Sequence, residues 1–283
     1  MPTKQNPFSL YDFLGYLIPG ALLLYFFCLI IPEPLESLLS TQIKSIAITY
    51  QAALTLIAAY MLGQLLGVAS SFTLEKSYIR KHGYPSRKLL GHKPTGESRP
   101  TKKIEFFWDT HISIAEKFSK LIVPDQSLSA NTLEKPVIDI IENKIKDYFV
   151  KHHRAKDTDE ILKIEYFHHI YHYCVENSPN HLSKIQNYVA LYGLMRNTAY
   201  VCVISAWGIV INSGYFFAIA LSQSKTPSFS IEKSIAFFAL IAIFSIFYLG
   251  FSKFYKRYST EVIMAFSVCY EYENRERKIY KPK

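Results

Sequence analysis

The sequence predicts an all-α integral membrane protein: four transmembrane helices, a helical cytoplasmic domain inserted between the second and third, and a helical C-terminal extension. Two observations predict it. Residues 13–32, 45–74, 197–224 and 234–252 carry no charged side chain, and a hydrocarbon core of about 30 Å is crossed by roughly 20 helical residues. Residues 75–196 are polar and hold 20 of the 32 Lys and Arg, and no strand pattern of comparable length competes there with its helical periodicity.

The first span, about 8–31, reads "YDFLGYLIPGALLLYFFCLII" at its core. It lacks a basic leader and a small-x-small cleavage site, so it is expected to stay in the mature chain. Ser9 with Asp12, or Asn6 before Pro7, starts the helix. Asp12 is then a carboxylate favoured by the helix dipole, or, in an oligomer, part of a charged ring at a pore mouth. Pro19 removes the hydrogen bond to residue 15, and Gly15 and Gly20 leave that backbone open to bend. A carbonyl freed in lipid must find a partner, so Gly15, Pro19 and Gly20 are expected to face the bundle or a pore axis.

The second span, about 46–72, carries Gln51, Thr55, Ala59, Gly63, Gly67 and Ser71 at i+4 spacing. Small residues at that spacing let helix backbones approach, within one subunit, between subunits or along a pore. Gln64 lies beside the stripe and needs a partner in lipid, with Ser205, Asn212 and Ser213 of the third span as candidates. No ionisable side chain lies deep within a span, which argues against a proton-coupled transporter. Four helices enclose no wide channel, so a pore requires a homo-oligomer.

The third and fourth spans cover about 197–221 and 234–252. Lys and Arg are retained on the cytoplasmic side, and the short connections 32–45 and 222–233 hold only Lys44, Lys225 and Lys233. Both termini and the insert are therefore expected in the cytoplasm of an inner-membrane protein. The third span is read as continuing a helix that starts at Asn180, after Pro179. Beyond the fourth, Tyr248, Phe251, Tyr255, Tyr258, Val262, Ala265, Cys269 and Tyr272 repeat at spacings of three and four, a stripe expected to pack on the cytoplasmic domain. Residues 253–283 form the C-terminal helix and tail.

Within the insert, 75–196, residues 76–103 hold nine Lys or Arg against Glu97 alone and read as a basic loop unable to bury much apolar surface. Lys76, Arg80, Lys81, Arg87, Lys88 and Lys93 are candidates for binding anionic lipid, a nucleotide or nucleic acid. "GHKPTGES" is no phosphate-binding loop, because Glu97 stands where the lysine belongs. Three helices follow. The first, about 104–122, has Phe107, Ile114, Phe118 and Leu121 on one face. The second is capped by Asn131 with Glu134, and the third by Asp157 with Glu160, running to about Glu176. Glu165, His168, His169 and His172 share one face of the third. Glu165, His168 and His172 offer half a metal site, and no second carboxylate-histidine helix completes it; no metal or other cofactor is expected. Cys28, Cys174, Cys202 and Cys269 form no C-x-x-C pair. No nucleophile or dinucleotide signature occurs, so an enzyme is not expected.

Short spans without intramembrane charge, joined to a basic helical cytoplasmic module, resemble the layout of bacterial multi-spanning membrane effectors of anti-phage defence. The resemblance implies a cytoplasmic sensing part coupled to spans that permeabilise or depolarise the inner membrane. The function expected is an oligomeric channel or membrane-disrupting effector, its partners being lipid, further copies of itself, and a nucleotide, nucleic-acid or protein signal. The alternatives are a non-conducting anchor for a soluble partner and a metal-dependent membrane enzyme using His168 and His172.

Overall fold

A computed structural model describes residues 10–30, 48–92, 103–122, 131–153, 166–223 and 230–279. Asn6, Ser9, Lys93, Asp157, Glu160 and Glu165 lie outside them. Among the described residues every regular element is helical. A π-helical turn, Asp12–Leu17 (π1), leads into α1 (Ile18–Ile30). Next, α2 (Ile48–Ser70) ends in a second π-helical turn, Ser71–Glu75 (π2), followed by α3 (Lys76–His82) and α4 (Pro85–Leu89). The remainder is α5 (Lys103–Ile122), α6 (Lys135–His153), α7 (Tyr166–Asn177), α8 (Pro179–Ser222) and α9 (Ile231–Ile279). Four stretches, Asp12–Ile30, Tyr50–Leu89, Pro179–Ser222 and Ile231–Tyr270, are long and apolar enough to cross a membrane.

The chain divides into two compact units. The first comprises Met1–Tyr78, Pro100–Gln126 and Ala190–Phe251. In it α1 and α2 meet backbone to backbone. A Cβ added to Gly20 would lie 1.8 Å from the Ala59 carbonyl oxygen, and one added to Gly63 would lie 2.1 Å from that of Tyr16. Lipid tails solvate a leucine as well as a neighbouring helix does, so this close approach, with its dispersion contacts, is what holds the pair.

The first unit differs from the expected domain map, because α5 packs with the apolar helices and not within a separate 75–196 domain. Its buried stripe is Trp108, Ile112, Ala115 and Ser119, with His111 beside it, at the i, i+4, i+7, i+11 rhythm of one helix face. The expected face is displaced: Ile114 is 42% exposed. The reason lies in partners that periodicity does not show. The Trp108 ring stacks on Tyr200, with centroids 4.8 Å apart, and small Ala115 and Ser119 let α5 close in.

The second unit comprises Ile79–Arg99, Ser127–Val189 and Ser252–Lys283. Its core joins Ile141, Ile145 and Phe149 of α6, Ile170 and Cys174 of α7, and Val262, Phe266 and Tyr270 of α9. Val262 and Ala265 of the aromatic and small stripe belong to it. The basic segment is not all loop. It forms α3 and α4, and Leu89 and Leu90 are buried in this core, because the two leucines beside Arg87 and Lys88 give a short helix an apolar side.

Two helix starts also shift. Residues 131–134 are non-helical, since the Leu133 N–H is taken by the Leu89 carbonyl at 2.9 Å; the first bonds of α6 are accepted by Glu134, which replaces Asn131 as cap. Likewise Ser178 accepts from His181 and Leu182, so Pro179 occupies the first helical position, where its missing N–H costs nothing.

Candidate functional site: a buried polar junction

Where π1, π2 and α8 meet in the first unit, polar side chains converge in an otherwise apolar interior. Pro19 has no N–H, and its ring crowds the carbonyl of residue 15. The chain widens the preceding turn: the Ile18 N–H reaches back five residues to the Phe13 carbonyl. The freed Gly15 carbonyl accepts from Asn197 Nδ2 at 2.7 Å. On the other side of Asn197, its Oδ1 accepts from Ser70 Oγ at 2.5 Å and from Arg196 Nε at 3.3 Å. The amide is thereby fixed in one orientation, with donor and acceptor edges both used.

Arg196 is 5% exposed. Its guanidinium pairs with the Glu75 carboxylate, donates to Tyr192 Oη at 2.9 Å and to the Gly67 carbonyl at 3.3 Å, and lies over the Tyr192 ring. A buried charge survives only when paired and hydrogen-bonded in this way. Glu75 reaches it because of π2. There the Lys76 N–H bonds to the Ser71 carbonyl, five residues back, and one extra residue in a turn rotates everything that follows. The Thr73 hydroxyl donates to the Ala69 carbonyl at 2.6 Å, loosening the regular ladder at that point.

The predicted positions distribute around this junction. Gly15, Pro19 and Gly20 are buried; Asp12 and Ser71 are half-buried, in π1 and π2. Of the small-residue stripe, Ala59, Gly63 and Gly67 are buried inside the subunit against Tyr16 and Gly20. Thr55 is exposed, its hydroxyl on the Gln51 carbonyl. Gln64 finds its partner on its own helix, donating to Tyr60 Oη at 3.0 Å, and not on the third span. Asn212 instead donates to the Ile30 carbonyl at the end of α1 and accepts from Lys233 Nζ at 3.4 Å. Lys76 pairs with Glu105 at 3.6 Å. Arg80, Lys81, Arg87 and Lys88 belong to the second unit. His168 and His172 Nε2 atoms lie 3.1 Å apart on the exposed side of α7, and among the described residues no three His, Cys, Asp or Glu are grouped to hold a metal.

Ser70, Glu75, Tyr192, Arg196 and Asn197 escape a reading of the sequence that uses charges only to bound the spans. One signal was present: Glu75 closes the second charge-free segment and Arg196 opens the third, so antiparallel spans bring opposite charges to one level. Compared with protein-family models, curated proteins and solved structures, the chain matches none.

Proposed function

We propose that the chain is an inner-membrane effector, with termini and second unit on the cytoplasmic side, whose apolar helices assemble into an oligomeric channel or membrane-disrupting complex. In this reading the Arg196 junction is a latch on the resting arrangement, and a nucleotide, nucleic acid or partner protein at the second unit's basic positions releases it. The junction carries the proposal. It joins three apolar helices through one charge pair and one amide, it sits on two π-helical turns of the kind that cluster at functional sites, and a buried network of this sort is stable whole and costly in part. Arg196 commits its donors to Glu75, Tyr192, Gly67 and Asn197, which suits a latch rather than a catalytic group. The bacterial antiviral effectors whose layout the sequence resembles supply the setting.

The test is induced expression of the full chain in bacteria with a membrane-potential dye, before and during phage infection, with membrane-inserted protein quantified. Wild type is expected to depolarise cells only on infection, and Glu75→Gln without it; polarised cells in every condition overturn the proposal. A non-conducting anchor is the second reading, favoured by the Gly63 and Gly67 seam being consumed within one subunit. Sustained polarisation together with a stoichiometric partner in affinity purification selects it.

A further inference from the structure

Helix α5 has a buried stripe, two unlike flanks and an outward side. The stripe of Trp108, Ile112, Ala115 and Ser119 is buried in the first unit. On one flank, Phe107, Ile114 and Phe118 recur at i, i+7 and i+11. On the opposite flank stand Glu105, Asp109, Glu116 and Lys120, at i, i+4, i+11 and i+15.

The flanks look toward different depths of the apolar helices. Trp108 stacks on Tyr200, near the start of the third charge-free segment that Arg196 bounds, whereas Phe107 meets Trp207 with ring centroids 5.7 Å apart. Trp207 lies seven residues, about 10 Å, farther into the charge-free segment. His111, turned the same way as Phe107, accepts from Trp207 Nε1 at 3.2 Å and packs on Phe244, within the fourth charge-free segment. Glu105, by contrast, pairs with Lys76, which lies beyond the end of the second. The apolar flank therefore points along the spans toward their middle, and the acidic flank back toward their charged ends. The surface around α5 continues the same pattern: it packs against π2, whose Phe72 is 74% exposed. Lys103 and Lys117 on the outward side of α5 are exposed, as is Phe106 between them.

We infer that α5 is an in-plane membrane helix, its Phe107, Ile114 and Phe118 flank seated in the acyl chains of the cytoplasmic leaflet and its Glu105, Asp109 and Glu116 flank in water. This rests on the four-span reading. The occupant is lipid, because the apolar flank meets Trp207, itself 40% exposed and followed along the same span by exposed Val210 and Ile211. An amphipathic helix with lysines at its margins suits that boundary, burying its apolar face about 5–10 Å into the headgroup and acyl region.

The test places photoreactive benzoylphenylalanine, one position at a time, at Ile114, Phe118, Glu116 and, as a reference on α2, the exposed Ile57. The full chain is held in nanodiscs of phosphatidylcholine and phosphatidylglycerol, and lipid adducts are counted by mass spectrometry. None of these positions is in the buried stripe of α5, so the helix keeps its packing. Adduct yields at 114 and 118 are expected within about threefold of that at 57, and at 116 about tenfold lower. Adducts at 57 with none at 114 or 118 overturn the in-plane helix and leave the spans standing. Adducts at none of the four overturn both, and protein–protein adducts at 114 overturn the proposal in favour of a second copy.

Discussion

Arg196 is the residue on which the first unit turns. Removing its partner by Glu75→Gln leaves a buried cation uncompensated and is expected to cost about 3–5 kcal/mol. The double replacement Glu75→Leu with Arg196→Met, which removes both charges at similar volume, is expected to recover most of it. Denaturant unfolding of the purified protein in detergent measures both, and a double variant as unstable as the single one would show that the charge pair is not the source. Asn197→Ala is a probe that leaves the charge pair in place: it takes the amide acceptor from Ser70 Oγ and Arg196 Nε and orphans the Gly15 carbonyl. Half of that last contact was legible in the sequence. Pro19 acts through covalent geometry on its own helix, so the freed carbonyl follows from "GYLIPG" alone. Which side chain answers it is a tertiary matter, and Asn197 sits in the charge-free stretch with nothing local to distinguish it from Asn212.

At the scale of elements, the pairing of α1 with α2 depends on absent side chains. Gly63→Ala and Gly20→Ala each drive a methyl group into a backbone carbonyl and are expected to destabilise the bundle by at least about 1–3 kcal/mol, whereas Thr55→Ala, on an exposed turn, stays near neutral. Thermal aggregation temperatures in detergent compare the three; equal loss at Thr55 would mean the outer turn of α2 is packed as well. The stripe itself was readable, because small residues at every fourth position are what a close approach of two helix backbones requires. Its destination was not, since a subunit's own helix, a second copy and a pore all call for the same pattern. The π-helical turns were beyond reach on different grounds. They depend on one residue more than the regular repeat and on a partner that makes the rotation worthwhile. For α5 the periodicity found a real apolar flank, Phe107 with Ile114 and Phe118, but the buried stripe beside it is set by a distant partner of Trp108, the Tyr200 ring.

For the molecule as a whole, two units imply two responses to pH. In the second unit, burial raises the Asp147 pKa, but hydrogen bonds from Lys151 and Tyr270 outweigh it and hold the carboxyl below its ordinary value. A depressed carboxylate contributes its stability above the unfolded pKa and loses it as pH falls through the folded one. The second unit is therefore expected to weaken in acid, at and below the ordinary aspartate range, and Asp147→Asn to remove part of that dependence. In the first unit, burial pushes the His111 imidazole down, against the opposing bond to the Phe107 carbonyl. The neutral ring is the folded form, so that unit starts losing stability higher, as pH drops below the ordinary histidine value. Both tryptophans, Trp108 and Trp207, lie against His111, so tryptophan emission reports the first unit, and amide exchange of α6 reports the second. A single coincident transition by both probes would contradict independent responses.

The bond from Asn197 to Gly15 also has a timetable. Its two ends are 182 residues apart, and at about 5–20 residues per second the ribosome needs roughly 10–40 s to make the second after the first. Through that interval the first span is already synthesised, with a Pro19 that frees the Gly15 carbonyl and a final partner for that carbonyl that does not yet exist. The insertion machinery, a water molecule or a chaperone has to hold that place. Variants at Asn197 would thus extend the wait indefinitely, and their earliest consequence would be a first span delivered to quality-control proteases.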